Sequence, residues 1–261
     1  MQALSVLGLL AALGATPHAD TCCRVLELRQ YTLYPGKRDV LVELFEREFI
    51  ESQEAEGMRL VGHFRDAGRP ERFVWLRGFP DMASRERSLK AFYGGPVWKA
   101  HRSEANATMQ DSSDVLLLRP LKEDTAFSLP PTPRPPVGTR ERPASLVVAT
   151  VLLLKQPVDA ELTQLYAQQV VPALRAAGAA PVAALQTEYA KNTFPALPVR
   201  EGEHALVWLC RFESLEAYRA FQERLAHSES WSKRVLPALQ PRLAKPLQTL
   251  QLEPTARSLL R

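Results

Sequence analysis

The strongest constraint in the sequence is that one order of secondary structure is written twice. Between residues 24 and 120 the hydrophobic periodicity predicts strand, helix, strand, strand, helices and strand, and this order returns between residues 145 and 253. Three aromatic pairs recur at one offset of 133 positions: Trp75 with Trp208, Phe79 with Phe212, and Trp98 with Trp231. The chain is therefore predicted to contain two related units, each with the β-α-β-β-α-β order of the ferredoxin-like fold.

The offset between the two units is not constant along the chain. Their first strands lie nearer 121 positions apart, whereas their third strands lie 133 apart. The second unit therefore holds an insertion, which we place in the polar loop 191–202, between its second and third strands.

The third strand of each unit is apolar on both faces. In the first unit Phe73 and Trp75 alternate with Val74 and Leu76, whereas a sheet with one face in water would alternate with polar residues. The predicted helices cover only one face of each sheet, so the other face must meet a second sheet. We therefore expect an α+β fold in which the two ferredoxin-like units form a barrel of the dimeric α+β type. The barrel closes either within one chain or between the chains of a homodimer.

The predicted units leave two segments unassigned. Residues 121–144 contain six prolines, which predict a linker without packed elements between the domains at 24–120 and 145–253. Residues 1–23 form a separate N-terminal segment whose apolar run, residues 4–13, is too short for a permanent membrane span.

The N-terminal segment resembles a secretory signal. The apolar run is followed by small residues up to Ala19, although no Lys or Arg precedes it and Pro17 stands close to the expected cleavage. Export, including to a periplasm, is the leading hypothesis, and a disordered tail on a cytoplasmic protein is the alternative. In an oxidising compartment Cys22 and Cys23 are more suited to bridges between chains than to each other, because a bridge between sequence neighbours is strained.

The composition of the sequence and the spacing of its cysteines and histidines limit the kinds of functional site that the chain can contain. The 33 basic and 29 acidic residues are spread along the chain without long runs, so we expect no nucleic-acid partner. Three cysteines do not supply a zinc site of the paired type, and no two of the five histidines are four residues apart. Phosphate-binding and common hydrolase motifs are also absent from the sequence. We therefore expect no metal and no cofactor.

Four segments of the first unit resemble the NIPSNAP family. They are ELRQYTLYPGK at 27–37, LVGHF at 60–64, FVWLRGF at 73–79 and FYGGPVW at 92–98. The second unit is similar to a diverged copy that lacks the opening motif. The resemblance implies the dimeric α+β barrel fold, which is shared by cofactor-free monooxygenases, haem-degrading enzymes and isomerases. It also implies binding roles, including vesicle traffic and mitophagy signalling in animal mitochondria, and it supplies no catalytic residues.

Polar and aromatic residues of the first unit suggest a small-molecule site. The candidate ligand-binding residues are Arg29, Tyr31, His63, Trp75, Tyr93, Trp98 and His101. His63 is a candidate catalytic base if its ring points into the barrel, with aromatic walls suited to a planar ligand. Arg29, Arg65 and Arg77 on neighbouring strands suit a carboxylate. The alternative is that these residues serve packing and rim charge only.

Two functions are compatible with these residues. The leading hypothesis is an α+β barrel that binds a small molecule or a partner. The alternative is a cofactor-independent monooxygenase or isomerase acting on an aromatic or polyketide-like substrate. An enzyme needs an open cavity in which His63 meets an Arg or a Tyr, whereas a barrel filled by side chains with His63 outside it favours binding.

Overall fold

The fold is described by a computed structural model that covers residues 20–129 and 133–261. Its strands are β1 (Asp20–Cys22), β2 (Val25–Leu33), β3 (Arg59–Asp66), β4 (Arg72–Phe79), β5 (Met109–Pro120), β6 (Phe127–Leu129), β7 (Leu146–Leu154), β8 (Pro181–Thr187), β9 (His204–Phe212) and β10 (Gln248–Pro254). Its α-helices are α1 (Arg38–Leu44), α2 (Ile50–Ala55), α3 (Met82–Gly94), α4 (Pro96–Asn106), α5 (Ala160–Leu165), α6 (Val171–Ala176), α7 (Leu215–Ala226) and α8 (Leu236–Leu239).

The predicted order of elements is confirmed in both halves of the chain. A π-helical turn, Phe45–Phe49, joins α1 to α2, and Tyr166–Val170 joins α5 to α6 in the same way. A third such turn, Trp231–Val235, leads into α8. The first residues of β5 are mostly polar and mostly exposed, so they carry no hydrophobic signal, whereas residues 115–118 of the same strand are apolar and buried.

Eight strands close into one barrel in the order β10-β3-β4-β2-β5-β8-β9-β7. Four consecutive barrel strands come from each half, and the order within each half is the same. Two antiparallel seams, β5 with β8 and β10 with β3, join the halves. The predicted α+β barrel is therefore confirmed, and it closes within a single chain. Closure pairs every barrel strand on both sides, so the barrel itself needs no partner chain.

Strand registers make the two halves comparable residue by residue. Glu27 lies opposite Arg77 in β2 and β4, and Val148 lies opposite Cys210 in β7 and β9. Both second strands, β3 and β8, carry a register shift at the matching place. The connection from β8 to β9 is longer than the hairpin from β3 to β4, as the predicted insertion at 191–202 requires.

Apolar side chains fill the barrel interior, while helices cover the outside. Val74 and Leu76 of β4 point into the interior cluster. Trp75 points the other way, into a cluster formed with α1 to α4. Trp208 of β9 does the same against α5 to α8. The two apolar faces predicted for the third strands therefore meet the opposite half of the barrel and the helices.

The proline-rich segment and the C-terminal tail, residues 255–261, also pack onto the barrel. Phe127 and Leu129 of β6, which pairs with β1, belong to the interior cluster. Leu259 and Leu260 of the tail join the same cluster, and the Leu260 amide donates to the Val61 carbonyl at 2.9 Å. The prediction that residues 121–144 form a linker without packed elements is therefore wrong for β6. Its buried residues are too few and too isolated to give a periodic signal.

The predicted signal segment, residues 1–19, lies outside the described residues, and so does the side chain of Cys22. The predictions about export and cysteine pairing therefore stay predictions. Across 20–129 and 133–261, no helix has the length and apolar character needed to cross a membrane.

Candidate functional site

Each half of the molecule has a layer of side chains between its sheet and its helices. The first-half layer lies between β2 to β4 and α1 to α4, and the second-half layer lies between β7, β9 and β10 and α5 to α8. The sequence-predicted residues fall in or beside the first-half layer. The two layers occupy equivalent places but are built from different chemistry.

A buried ion cluster forms the centre of the first-half layer. The Glu27 carboxylate of β2 accepts hydrogen bonds from Arg29 Nη1 at 2.8 Å, Arg77 Nη2 at 2.6 Å and Arg85 Nε at 2.7 Å. All four side chains are completely buried. Arg77 also donates to Gln53 Oε1 on α2 at 2.8 Å, so the cluster ties the sheet to two helices.

The three guanidinium groups keep Glu27 ionised. Burial alone would raise the pKa of this carboxyl, but the charges of Arg77, Arg29 and Arg85 together hold it well below its ordinary value. One negative and three positive charges therefore share the interior of the layer. Sequence reasoning selected Arg29 and Arg77 but missed Glu27 and Arg85. Arg85 lies on a helix whose polar residues look like an ordinary solvated face.

Aromatic rings continue the layer on both sides of the ion cluster. The Arg29 guanidinium lies 5.6 Å from the ring centroid of Trp75, and Tyr31 makes an edge contact with Trp75 at 5.8 Å. Tyr93 and Trp98, on α3 and α4, contact each other at 4.8 Å. The structure thus brings five of the predicted residues into one layer.

His63 is fully buried and points to the helix side of β3, outside the barrel interior. It lies opposite Trp75, and its ring centroid is 5.5 Å from that of Phe45. Nδ1 is 2.8 Å from Thr255 Oγ1, and Nε2 is 3.2 Å from Arg134 Nη1. Because a guanidinium only donates, Nε2 is the acceptor and Nδ1 carries the proton.

The partners of His63 come from segments far apart in sequence. Arg134, in the proline-rich segment, also donates to the carbonyls of Arg257 at 2.6 Å and Leu60 at 2.8 Å, and to Glu54 Oε1 at 2.7 Å. Burial, together with the charges of Arg134 and Arg257, holds the pKa of His63 well below its ordinary value. Both ring nitrogens have hydrogen-bond partners, so His63 has a structural role and joins segments that are far apart in sequence.

Two other predicted residues lie away from the cluster. His101 is part-exposed on α4, where Nε2 is 3.5 Å from Glu48 Oε2. Arg65 bonds to Asp39 at the surface, at 2.7 Å, and does not join Arg29 and Arg77. The prediction that Arg65 lies with Arg29 and Arg77 is therefore wrong. The third arginine of the cluster is Arg85.

The second-half layer contains a cavity of about 310 Å³. Its walls come from β7, β9 and β10 on one side and from α6, α7 and the turn before α8 on the other. Most of its lining is aromatic or aliphatic: Val148, Leu174, Trp208, Phe212, Tyr218, Phe221, Leu225, Trp231, Leu236 and Leu247. Thr249 of β10 also lines it and is exposed, so the cavity opens beside this strand.

The cavity occupies the place of the first-half ion cluster. By strand register, Glu27 corresponds to Val148, Arg29 to Thr150 and Arg77 to Cys210. The helices match at their N-caps, because Asp81 caps α3 and Ser214 caps α7, each through its side chain. The residues that replace Glu27, Arg29, Arg77 and Arg85 are Val148, Thr150, Cys210 and Tyr218.

The titratable groups that line the cavity are neutral. Burial raises the pKa of the Cys210 thiol to about 12 and also raises the pKa of the Tyr218 phenol. Neither group is a base near pH 7. Sequence reasoning did not find the cavity. One feature of the sequence could have indicated the cavity: β7 has small and apolar residues at the positions where β2 has charged ones.

No group of three or more His, Cys, Asp or Glu side chains that could hold a metal ion occurs within residues 20–129 and 133–261. The polar groups of the first-half layer are mainly guanidinium donors, which bind anions and not cations.

The family comparison agrees with the resemblance of the first half. The NIPSNAP family model matches residues 26–122, so this part of the chain is a NIPSNAP domain. The match covers the first half of the barrel and its ion cluster. No curated protein matches the chain in sequence.

Solved structures that resemble the whole chain define the class of fold. A "putative monooxygenase" from Lactobacillus acidophilus is 12% identical, with a TM-score of 0.54 over 90% of this chain and 96% of that one. Another, from Fusobacterium nucleatum, is 9% identical, with a TM-score of 0.53 over 88% and 92%. A dye-decolorizing peroxidase from Bacteroides thetaiotaomicron is 10% identical, with a TM-score of 0.51 over 91% and 95%. At these identities the likeness shows the fold alone.

Glu27→Gln tests the ion cluster. Removing the one carboxylate leaves three buried guanidinium groups without a counter-charge, so we expect the free energy of unfolding to fall by about 3 to 5 kcal/mol. The measurement is urea unfolding followed by circular dichroism. Glu86→Gln, on the exposed side of the same helix as Arg85, is the matched control and should change stability by less than about 0.5 kcal/mol. A loss no larger than that of the control would show that the cluster is not the centre of the layer.

His63 predicts a pH dependence of stability. Its pKa is lower in the folded than in the unfolded protein, so the unfolded chain gains a proton first as the pH falls. Wild type should therefore lose stability below about pH 6.5, with a slope of up to about 1.4 kcal/mol per pH unit. His63→Gln should remove this part of the slope.

The comparison is made by urea unfolding of wild type and His63→Gln between pH 5 and pH 8. Glu46 is the nearest carboxylate, 3.9 Å from Nδ1, and both proteins contain it. His227→Gln, a change at an exposed histidine, is the control and should retain the wild-type slope. Equal slopes in wild type and His63→Gln would contradict the assignment.

Proposed function

We propose that the protein binds an uncharged, largely aromatic small molecule in the cavity of the second-half layer. The observation that carries this proposal is the contrast between the halves. At equivalent places, side chains and ion pairs pack the first-half layer, while an apolar cavity of about 310 Å³ lies in the second-half layer. That volume is at the lower end of the range for small-molecule sites.

The cavity favours ligands without charge. Trp208 and Trp231 offer aromatic faces, and the polar residues of the lining are Thr150, Cys210, Tyr218, Gln222 and Thr249. These groups supply weak or neutral hydrogen bonds and no counter-charge. A wider groove of about 480 Å³ beside α1 is lined by exposed charged residues such as Asp39 and Arg47, which suit solvent better than an organic ligand.

Binding without catalysis is the function that this geometry supports best. The cavity has no ionised base or acid, because both of its titratable groups are neutral near pH 7. His63, the candidate base, lies in the other half and has both nitrogens bonded. The monooxygenase names among the structural neighbours support the oxygenase alternative only through the shared fold.

We also infer that the two halves are diverged copies of one domain. The matching registers and the three aromatic pairs at one offset support this inference. In this interpretation the first copy retains a packed ion cluster, and the second copy has exchanged it for a ligand cavity.

A fluorescence titration with N-phenyl-1-naphthylamine tests the binding function. This neutral aromatic probe should bind wild type saturably and brighten in the apolar cavity. Thr249→Phe places a ring at the opening and should weaken binding about tenfold, equivalent to about 1.4 kcal/mol.

Thr249→Ser is the matched control, because it changes the same exposed position without filling it, and it should bind the probe like wild type. Denaturation curves of both variants check that they remain folded. The proposal fails if the probe does not saturate or if Thr249→Phe binds it as tightly as Thr249→Ser does.

Export of the protein also stays a proposal, supported by the apolar run at 4–13 and the small residues up to Ala19. The intact mass of the protein purified from its natural source checks it. Cleavage after Ala19 would leave a chain that begins at Asp20, and retention of residues 1–19 would favour the cytoplasmic alternative.

A further inference from the structure

The first-half layer contains more buried positive charge than its own residues neutralise. Among the described residues, Glu27 is the one carboxylate within ion-pair distance of Arg29, Arg77 and Arg85. The cluster therefore has a surplus of two positive charges. Burying an unpaired charge is costly, so an additional anion would be strongly favoured there.

Some hydrogen-bond donors of the layer lack acceptors. Arg29 Nη2 and the indole Nε1 of Trp75 are buried without a hydrogen-bond partner among the described residues. Arg85 Nη2 is 2.7 Å from a Glu27 oxygen, but its orientation does not make a hydrogen bond. Positive charge and unsatisfied N–H groups thus occur together, which is the chemistry that recognises an oxyanion.

Residues of the insertion loop, 191–202, cover this cluster from the other half of the molecule. Asn192 Oδ1 and Thr193 Oγ1 accept hydrogen bonds from Arg85 Nη1 at 3.0 and 3.3 Å. Phe194 stacks on Tyr93 with ring centroids 5.7 Å apart. The Arg85 guanidinium therefore ends against two neutral oxygens, for which a carboxylate would be a stronger replacement.

We propose that the first-half layer binds an aromatic carboxylate beneath the insertion loop. The carboxylate takes the place of the Asn192 and Thr193 oxygens at Arg85 and adds one of the two negative charges that the cluster lacks. Its ring lies against Tyr93 and Phe194, the part-buried aromatic residues at this edge. This site is separate from the second-half cavity. It takes an anionic ligand, whereas the cavity takes an uncharged one.

The C-terminal part of the loop is anchored to β5 through Arg200. Arg200 donates its backbone amide to the Val115 carbonyl at 2.8 Å and its side chain to Asp114 at 3.1 Å. Asn192 Nδ2 donates to the Leu197 carbonyl at 2.9 Å within the loop. Ligand entry therefore requires the segment around Asn192 to move while the Arg200 anchor stays in place.

Isothermal titration calorimetry with benzoate tests the site in the full chain, with benzyl alcohol as the uncharged analogue and inorganic phosphate as an anion without a ring. Wild type should bind benzoate more tightly than it binds benzyl alcohol or phosphate. Arg85→Met should weaken benzoate binding about tenfold or more, because a hydrogen bond between charged groups is lost. Arg85→Met should leave binding of N-phenyl-1-naphthylamine unchanged, and Thr249→Phe should leave benzoate binding unchanged.

Asn192→Asp tests the same site without removing a buried charge. Its carboxylate can bond Arg85 from the loop, so it should raise the melting temperature and weaken benzoate binding about tenfold by competition. Ala196→Asp adds the same charge at an exposed position of the loop and is the matched control. Benzoate binding that is unchanged in Asn192→Asp, lost in Thr249→Phe, or matched by benzyl alcohol or phosphate would overturn the proposal.

Discussion

The ion pairs of Glu27 are the interaction on which the first half of the molecule depends. One carboxylate on β2 holds guanidinium groups from its own strand, from β4 and from α3, and Arg77 extends the contact to Gln53 on α2. Each partner is fully buried, so the attraction acts without competition from water. The helices of this half are therefore positioned by directed charge pairs as well as by apolar packing. The same arrangement leaves a surplus of positive charge that gives the layer its affinity for anions.

The two halves cover one barrel in two chemically different ways. Equivalent positions on β4 and β9 hold Arg77 and Cys210, and equivalent positions on α3 and α7 hold Arg85 and Tyr218. Ion pairs in the first half and an apolar cavity in the second result from these exchanges, with no change in strand order. Because the interior cluster is shared by both halves, the barrel keeps its shape while the outer layers differ. The fold therefore leaves the outer layers free to acquire different ligands.

The proline-rich segment and the tail pack onto the barrel that the two halves close. Arg134 reaches His63, Glu54 and the tail carbonyl of Arg257, while β6 and Leu260 pack onto the interior cluster. The connection between the halves is thus part of the core. This packing makes His63 a structural residue in the folded protein.

Much of the fold is predictable because its signals are local. Local hydrophobic periodicity predicted the order of strands and helices in both halves, and the two apolar faces of β4 predicted a second sheet behind the first. The site was only partly predictable. Arg29, Tyr31 and Trp75 belong to the motif that resembles NIPSNAP, and they do lie together. Arg85 and Asn192 carry no such signal, because each looks like an ordinary surface residue until the chain folds.

The sequence by itself determined the order of elements, the α+β class and the presence of two comparable halves, because periodicity and aromatic spacing act along the chain. Only the tertiary structure decided that the barrel closes within one chain and that His63 faces outward. It also decided that Glu27 meets three arginines and that the second half encloses a cavity. These features depend on register, on side-chain direction and on contacts between residues far apart in sequence. Glu27 and Arg85, for example, are 58 positions apart, and Arg85 and Asn192 are 107 apart.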